Sequence, residues 1–145
     1  MLQHLKQHHA DIPCSIEFEK QREGIQQLYT FANVLIFSKN YCLNSDQTDA
    51  EKFLTTLKKQ FSDKTFILAW GDQGCYGCTS DSDIIHSAAH KPAAIIDTLA
   101  AGDTFNAGII DALLKSCNLE QTLNNANHLA ACKIAVNGLD ISDYV

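Results

Sequence analysis

The chain has 145 residues, 46% hydrophobic and 19% charged, a balance that excludes disordered, collagenous and disulfide-scaffold classes. A formal net charge of −6 leaves no basic excess for a nucleic-acid surface. No apolar run reaches the roughly 20 residues of a membrane span, and the N-terminus lacks a secretory h-region. The expectation is a cytoplasmic protein whose cysteines (Cys14, Cys42, Cys75, Cys78, Cys117 and Cys132) are reduced thiols.

In chain order, Leu2–His9 reads as a helix tail, as if Met1 lay inside a longer ancestral domain. His4 and His8 share its face, and solvation is the plainer reading of that pair. Pro13–Phe18 alternates and suits a strand, and Gln21–Thr30 carries Ile25, Leu28 and Tyr29 on one helical face. Val34–Phe37 is a continuous apolar run of strand length, the mark of a strand covered on both faces. Asp46 or Thr48 can cap a helix running to about Phe61, with Phe53, Leu54, Leu57 and Phe61 at helical spacing. Thr65–Trp70 is a second buried strand, followed by the turn Gly71-Asp72-Gln73-Gly74. Cys75–Cys78 and Ile84–Ser87 suit a hairpin around 80–83. Ile95 and Ile96 form a short apolar strand, Asp103–Lys115 a helix, and Leu119–Val136 another, stopped at Asn137-Gly138. Strands alternating with helices imply an α/β fold with a mostly parallel sheet. No repeat, low-complexity segment or linker interrupts residues 1–145, so one domain is expected.

The most informative stretch is Asp97-Thr98-Leu99-Ala100-Ala101-Gly102-Asp103. A small-residue turn opens directly into a helix. Ala100, Ala101 and Gly102 have little bulk, so an anion can approach backbone N–H groups at a helix start, where donors are unpaired and the macrodipole is positive. Asp103 puts a carboxylate at the same place. That pairing is what phosphoryl transfer needs, because the donors hold the phosphoryl group while the carboxylate accepts a hydroxyl proton.

This stretch resembles the ATP-binding signature of the ribokinase (PfkB) carbohydrate kinases, Asp-Thr-x-Gly-Ala-Gly-Asp. The resemblance is strongest to the ketohexokinase-type fructokinases of that family. It is carried by Ser15–Glu23 (SIEFEKQRE), Leu35–Lys39 (LIFSK), Ala69-Trp70, His86-Ser87, Ile96–Asn106 (IDTLAAGDTFN) and Gly138–Ile141 (GLDI). These segments fall in family order over nearly the whole chain, and they match only the C-terminal half of such a kinase. The sugar-binding residues, lid and Gly-Gly signature of the other half have no counterpart here.

The resemblance implies a ribokinase-like three-layer sandwich, of which residues 1–145 form the ATP-binding half. It implies ATP as phosphoryl donor and fructose as acceptor, with fructose 1-phosphate the product. Asp103 is then the catalytic base, and Gly71, Asp72, Gln73, Gly74, Ala100, Ala101, Gly102, Asp103 and Asn127 hold the nucleotide. Mg²⁺ arrives with the nucleotide, since Lys39-Asn40-Tyr41-Cys42 lacks the Asn-x-x-Glu pattern of many relatives. Ala100 departs from the family's usual Gly. If that position has positive φ, Ala costs about 1–2 kcal/mol there, and its methyl can also crowd a phosphate.

Two other readings stand beside this one. The chain can be a catalytically inactive isoform or fragment that retains at most nucleotide binding. Half a sheet leaves an open edge, which favours self-association or pairing with a complementary N-terminal half. Alternatively, Cys75 and Cys78, followed by His86 and His90, offer a zinc or thiol site. Their spacing is tighter than in zinc fingers, and a hairpin is not the helix start that a redox pair prefers.

Overall fold

The computed structural model describes residues 2–9, 11–45 and 47–142. The chain divides into two compact units, Met1–Leu68 with Gly77–Ile84, and Ala69–Tyr76 with Ile85–Val145. Its strands are β1 (Ser15–Phe18), β2 (Val34–Phe37), β3 (Thr65–Ala69), β4 (Cys75–Thr79) and β5 (Ile85–Ser87). They hydrogen-bond in chain order as a five-stranded sheet. β1 pairs β2 in parallel with Ser15 opposite Val34, and β2 pairs β3 in parallel with Val34 opposite Thr65. The segments 70–74 and 80–84 are too short for a parallel crossover, which takes about a dozen residues, so β4 alone runs against the others. The expected α/β fold with a mostly parallel sheet is what the chain adopts.

In the first unit, Leu2–His8 forms α1, with no buried residue. Phe18, Phe37, Tyr41 and Phe53 are buried together, with Phe18 stacked on Phe37 at 5.1 Å and Phe53 edge-on to Phe37 at 5.2 Å. The Tyr29 and Tyr41 hydroxyls share a hydrogen bond of 2.6 Å inside this cluster, and burial pushes both phenols above their ordinary range. Leu35 of β2 and Phe66 and Ile67 of β3 are fully buried, in keeping with their uninterrupted apolar runs.

Several element boundaries differ from the sequence reading. The segment expected to be helical over Gln21–Thr30 is a 3-10 helix over Ile25–Phe31, because Gly24 at φ 73° breaks the chain's approach to it. Ser38 caps a short helix, α2 (Lys39–Leu43), by accepting from the Tyr41 amide at 3.0 Å. Neither expected cap starts the next helix, α3 (Ala50–Gln60). Asp49 does, accepting from the Lys52 amide at 2.8 Å, so Thr48 lies one residue outside and Asp46 falls outside the described residues.

The second unit is built on α4 (Ala101–Leu114) and α5 (Leu119–Ile134). Asn118 and Gln121 form a capping box at the start of α5. Phe105, Ile109 and Ala112 of α4 are buried, as are Leu123, Ala126 and Ala131 of α5. The two helices cross so closely at Gly108 that a β-carbon there would lie 2.9 Å from Ala126 Cα. Ile95 and Ile96 do not form the expected strand. Their side chains are 77% and 59% exposed, and the Ile96 and Asp97 amides both donate to the Ile134 carbonyl, at 2.9 and 3.2 Å. The end of α5, and not a neighbouring strand, takes those two donors.

Candidate active site

Everything that concerns the candidate site lies within the second unit. Ala100 stands immediately before α4 with φ 61° and ψ 14°, the left-handed conformation that L-residues avoid. The position that the family fills with Gly thus does require positive φ. No side chain caps the helix here. The first i to i−4 bond runs from the Thr104 amide to the Ala100 carbonyl at 2.9 Å, and the Thr104 hydroxyl reaches the same oxygen at 2.9 Å. The Ala101 amide leans on the Thr98 carbonyl at 3.3 Å. The Gly102 and Asp103 amides therefore precede any helical acceptor and are the donors best placed for an anion.

A cavity of about 570 Å³ opens at this helix start, within the range of nucleotide and cofactor pockets. Ala101, Gly102, Thr98 and Phe105 form one wall, Gly71, Asp72 and Gly74 another, and Asn127, Ala130 and Ile134 of α5 a third. The segment Ala89–Pro92 closes the remaining side. Sequence reasoning weighed His90 only as a zinc candidate and gave the rest of the segment no role, since it carries no motif. Ala100 and Asp103 are not wall residues; Asp103 is solvent-exposed on the first turn of α4 beside Gly102.

The turn after β3 is held in place by its own neighbours. Gly74 at φ 96° packs so tightly that a β-carbon would meet the Ser87 carbonyl at 2.0 Å. Gln73 is not a wall residue, because its carbonyl is engaged by the His86 ring at 2.9 Å, and that ring lies 4.5 Å from Tyr76. Asn127 is buried and not a solvated helix residue. Its amide nitrogen donates to the Ser87 carbonyl at 3.0 Å, the Ser87 hydroxyl at 3.0 Å and the Ala88 carbonyl at 3.2 Å. Its donors thus fix the segment that walls the cavity.

Cys75 and Cys78 stand three apart on one strand, so their side chains leave opposite faces and do not converge on one ion. Burial pushes the Cys75 thiol up to about 12 and raises Cys78 as well, which holds both as unreactive thiols. His90 Nε2 instead bonds the Asn124 side-chain oxygen Oδ1 at 2.9 Å, and its ring packs against His128 at 5.3 Å. Among the described residues, no three histidine, cysteine or acidic side chains group as a metal site, and no helix is long and apolar enough to cross a membrane.

Lys133 is the functional candidate that the sequence hid. It is 1% exposed, and its ammonium donates to the Asp97 carboxylate at 3.0 Å and the Asp97 carbonyl at 3.1 Å. The Leu99 amide, then Lys133, then the Gly138 amide hold the Asp97 carboxyl below the usual carboxylate range. That contribution to stability is present above the unfolded-state value and is lost as pH falls through the depressed one. The one sequence signal was a lysine set between Cys132 and Ile134 in an otherwise apolar last turn.

Ala100→Gly is expected to raise stability by about 1 kcal/mol. The left-handed penalty of about 1–2 kcal/mol is removed, and the freer unfolded chain returns part of it. Chemical denaturation checks this, and a destabilised variant would mean that the alanine methyl is needed for packing.

The second unit thus sets a left-handed turn and unpaired amides at the wall of a cavity of about 570 Å³. The chain belongs to the pfkB family of carbohydrate kinases, whose family model matches residues 2–143. It is 32% identical to ketohexokinase from Mus musculus over 147 residues, covering 97% of this chain and 49% of that protein. The chain therefore spans about half the length of that relative. Its fold is similar to adenosine kinase from Sinorhizobium meliloti, with a TM-score of 0.81 and 16% identity over 95% of this chain and 44% of that one. It is also similar to Arabidopsis thaliana ribokinase complexed with ribose and ATP, with a TM-score of 0.77 and 18% identity over 99% of this chain and 47% of that one.

Proposed function

We propose that residues 1–145 form the C-terminal, nucleotide-binding half of a ketohexokinase-like sugar kinase that transfers the γ-phosphoryl group of ATP to the 1-hydroxyl of fructose. The observation that carries this reading is the left-handed turn at Ala100, which opens α4 at the wall of a cavity of about 570 Å³ within the residues that the family model matches. The 32% identity to ketohexokinase supports fructose over other acceptors.

In this reading the Gly102 and Asp103 amides, with Ala101 beside them, hold phosphate oxygens, and the left-handed Ala100 sets their direction. Gly71, Asp72 and Gly74 border the nucleotide, Gln73 holds the turn from behind through His86, and Asn127 closes the far wall. The fructose 1-oxygen bonds to the γ-phosphorus, the bridging bond to ADP breaks, and Asp103 takes the hydroxyl proton. Asp72 lines the cavity and is the carboxylate there that would meet Mg²⁺. Mg²⁺ keeps several waters and phosphate oxygens as ligands, so it enters with ATP and supplies charge neutralisation.

A second reading, nucleotide binding without turnover, is favoured by one fact: the chain covers 49% of its curated relative. Phosphoryl transfer rests on positioning of donor and acceptor, and misplacement costs orders of magnitude. A coupled ADP-release assay on the purified 145-residue chain separates the two. The expected result is slow release, indifferent to fructose, that becomes fructose-dependent when the N-terminal half of a ketohexokinase is added. Strong fructose-dependent release by the chain alone would overturn the half-enzyme reading. Saturable ATP binding with no turnover in any mixture would favour the second.

A further inference from the structure

Ala100 is held in a conformation that an alanine does not choose, and α4 grips only its carbonyl, through the Thr104 amide and hydroxyl at 2.9 Å each. No side chain caps α4, and no glycine relieves the turn. Backbone strain of this kind persists only where the surroundings over-determine it. On the N-terminal side of the turn, the contacts converge on Asp97. Its carboxylate accepts from the Leu99 amide at 2.9 Å and the Gly138 amide at 3.3 Å, and its own amide is tied to the Ile134 carbonyl at 3.2 Å. Its remaining carbonyl and carboxylate contacts are both made by the Lys133 ammonium.

Burying a lysine is costly, and an ion pair inside a protein rarely adds net stability over an apolar replacement of similar size. Ordinary packing of α5 would be served by methionine. The lysine supplies something that methionine lacks: donors that grip the carbonyl and the carboxylate of Asp97 together, and so fix the direction in which the chain leaves it.

We infer that Lys133 is a positioning residue for the phosphate-facing turn: by clamping Asp97 to the last turn of α5, it holds residues 97–100 so that Ala100 stays left-handed and the α4 start stays at the cavity wall. The inference rests on the reading of that cavity as the nucleotide site. It also makes a claim about the turn itself, which can be tested without nucleotide.

The test uses the full chain carrying Lys133→Met. Amide hydrogen exchange is expected to accelerate by about tenfold or more at Leu99 and Gly138 while Ile109, in the middle of α4, keeps its protection. The Kd for Mg-ATP should rise by about tenfold, the equivalent of the left-handed preference that the clamp enforces, while the Kd for adenosine, which has no phosphate, moves less than about twofold. Where Lys133→Met does not fold, Asp97→Asn with Lys133→Met removes the unpaired carboxylate, and accelerated exchange at Gly138 with weakened Mg-ATP binding is expected there too. Unchanged exchange at the turn overturns the inference. So does a parallel loss of Mg-ATP and adenosine binding with exchange raised throughout α4 and α5, the pattern of a general packing role. If the unsubstituted chain binds no Mg-ATP, the proposed function fails, and the exchange pattern alone decides whether Lys133 holds the turn.

Discussion

Asp103→Asn is expected to slow phosphoryl transfer by about 10²–10⁴-fold, the ordinary contribution of a positioned general base. The substitution keeps the size of the side chain and removes the proton acceptor. The helix start remains, because Thr104 still reaches the Ala100 carbonyl and Ala100 still opens α4. Mg-ATP affinity should therefore stay within about twofold of the unsubstituted chain, since backbone amides and not the carboxylate hold the phosphates. The measurement is fructose-dependent ADP release in the mixture of this chain with a ketohexokinase N-terminal half, alongside a binding titration. Turnover undiminished by Asp103→Asn would place the base elsewhere. Equal losses in turnover and affinity would mean that Asp103 binds the nucleotide and does not activate the acceptor.

Gly108→Leu is expected to cost at least about 3 kcal/mol and to abolish nucleotide binding with it, because overpacking against backbone leaves no side chain to give way. The β-carbon alone would sit 2.9 Å from Ala126 Cα, so α4 and α5 would have to separate. Both helices wall the cavity, through Ala101, Gly102 and Phe105 on one and Asn127, Ala130 and Ile134 on the other. Ala107→Leu, one residue earlier on the exposed side of α4, is the control and should stay within about 0.5 kcal/mol. Denaturant unfolding of the pair gives the comparison. A Gly108→Leu chain as stable as its control would show that the helix crossing has more freedom than its geometry indicates.

What could be read from the chain divides along a physical line. Val34–Phe37 was legible to the residue because a strand covered on both faces has an uninterrupted apolar run. The signature was legible because the residue sizes at 100–102 and the carboxylate at 103 carry chemistry in sequence alone. The pattern left the sign of φ at Ala100 open, and only the structure gives it, at 61°. Ile95 and Ile96 misled, since two apolar residues say nothing about whether a neighbouring strand exists to pair with them. Their amides go to the end of α5 instead. The α3 cap moved by a residue because Thr48, Asp49 and Asp46 are all acceptable acceptors and only the backbone's approach selects among them. Lys133 was invisible for a subtler reason. A lysine in the last turn of a helix suits the macrodipole and reads as solvated, and only the tertiary path of Asp97 buries it.

Asn127 illustrates the same limit from the other side. The resemblance put it among the nucleotide-holding residues and it does line the cavity, yet its amide is spent on Ser87 and Ala88. The partners of each polar atom depend on which loop the fold lays against it, and no sequence pattern carries that.

The most direct measurement is a calorimetric titration of the folded 145-residue chain with Mg-ATP. Saturable one-to-one binding is expected, competed by Mg-ADP and weakened when the phosphates are removed, because α4 starts with unpaired amides at the wall of a nucleotide-sized cavity. A sample that unfolds cooperatively, and so is demonstrably folded, but takes up no nucleotide at millimolar concentration would contradict the assignment of this cavity as the phosphoryl-donor site.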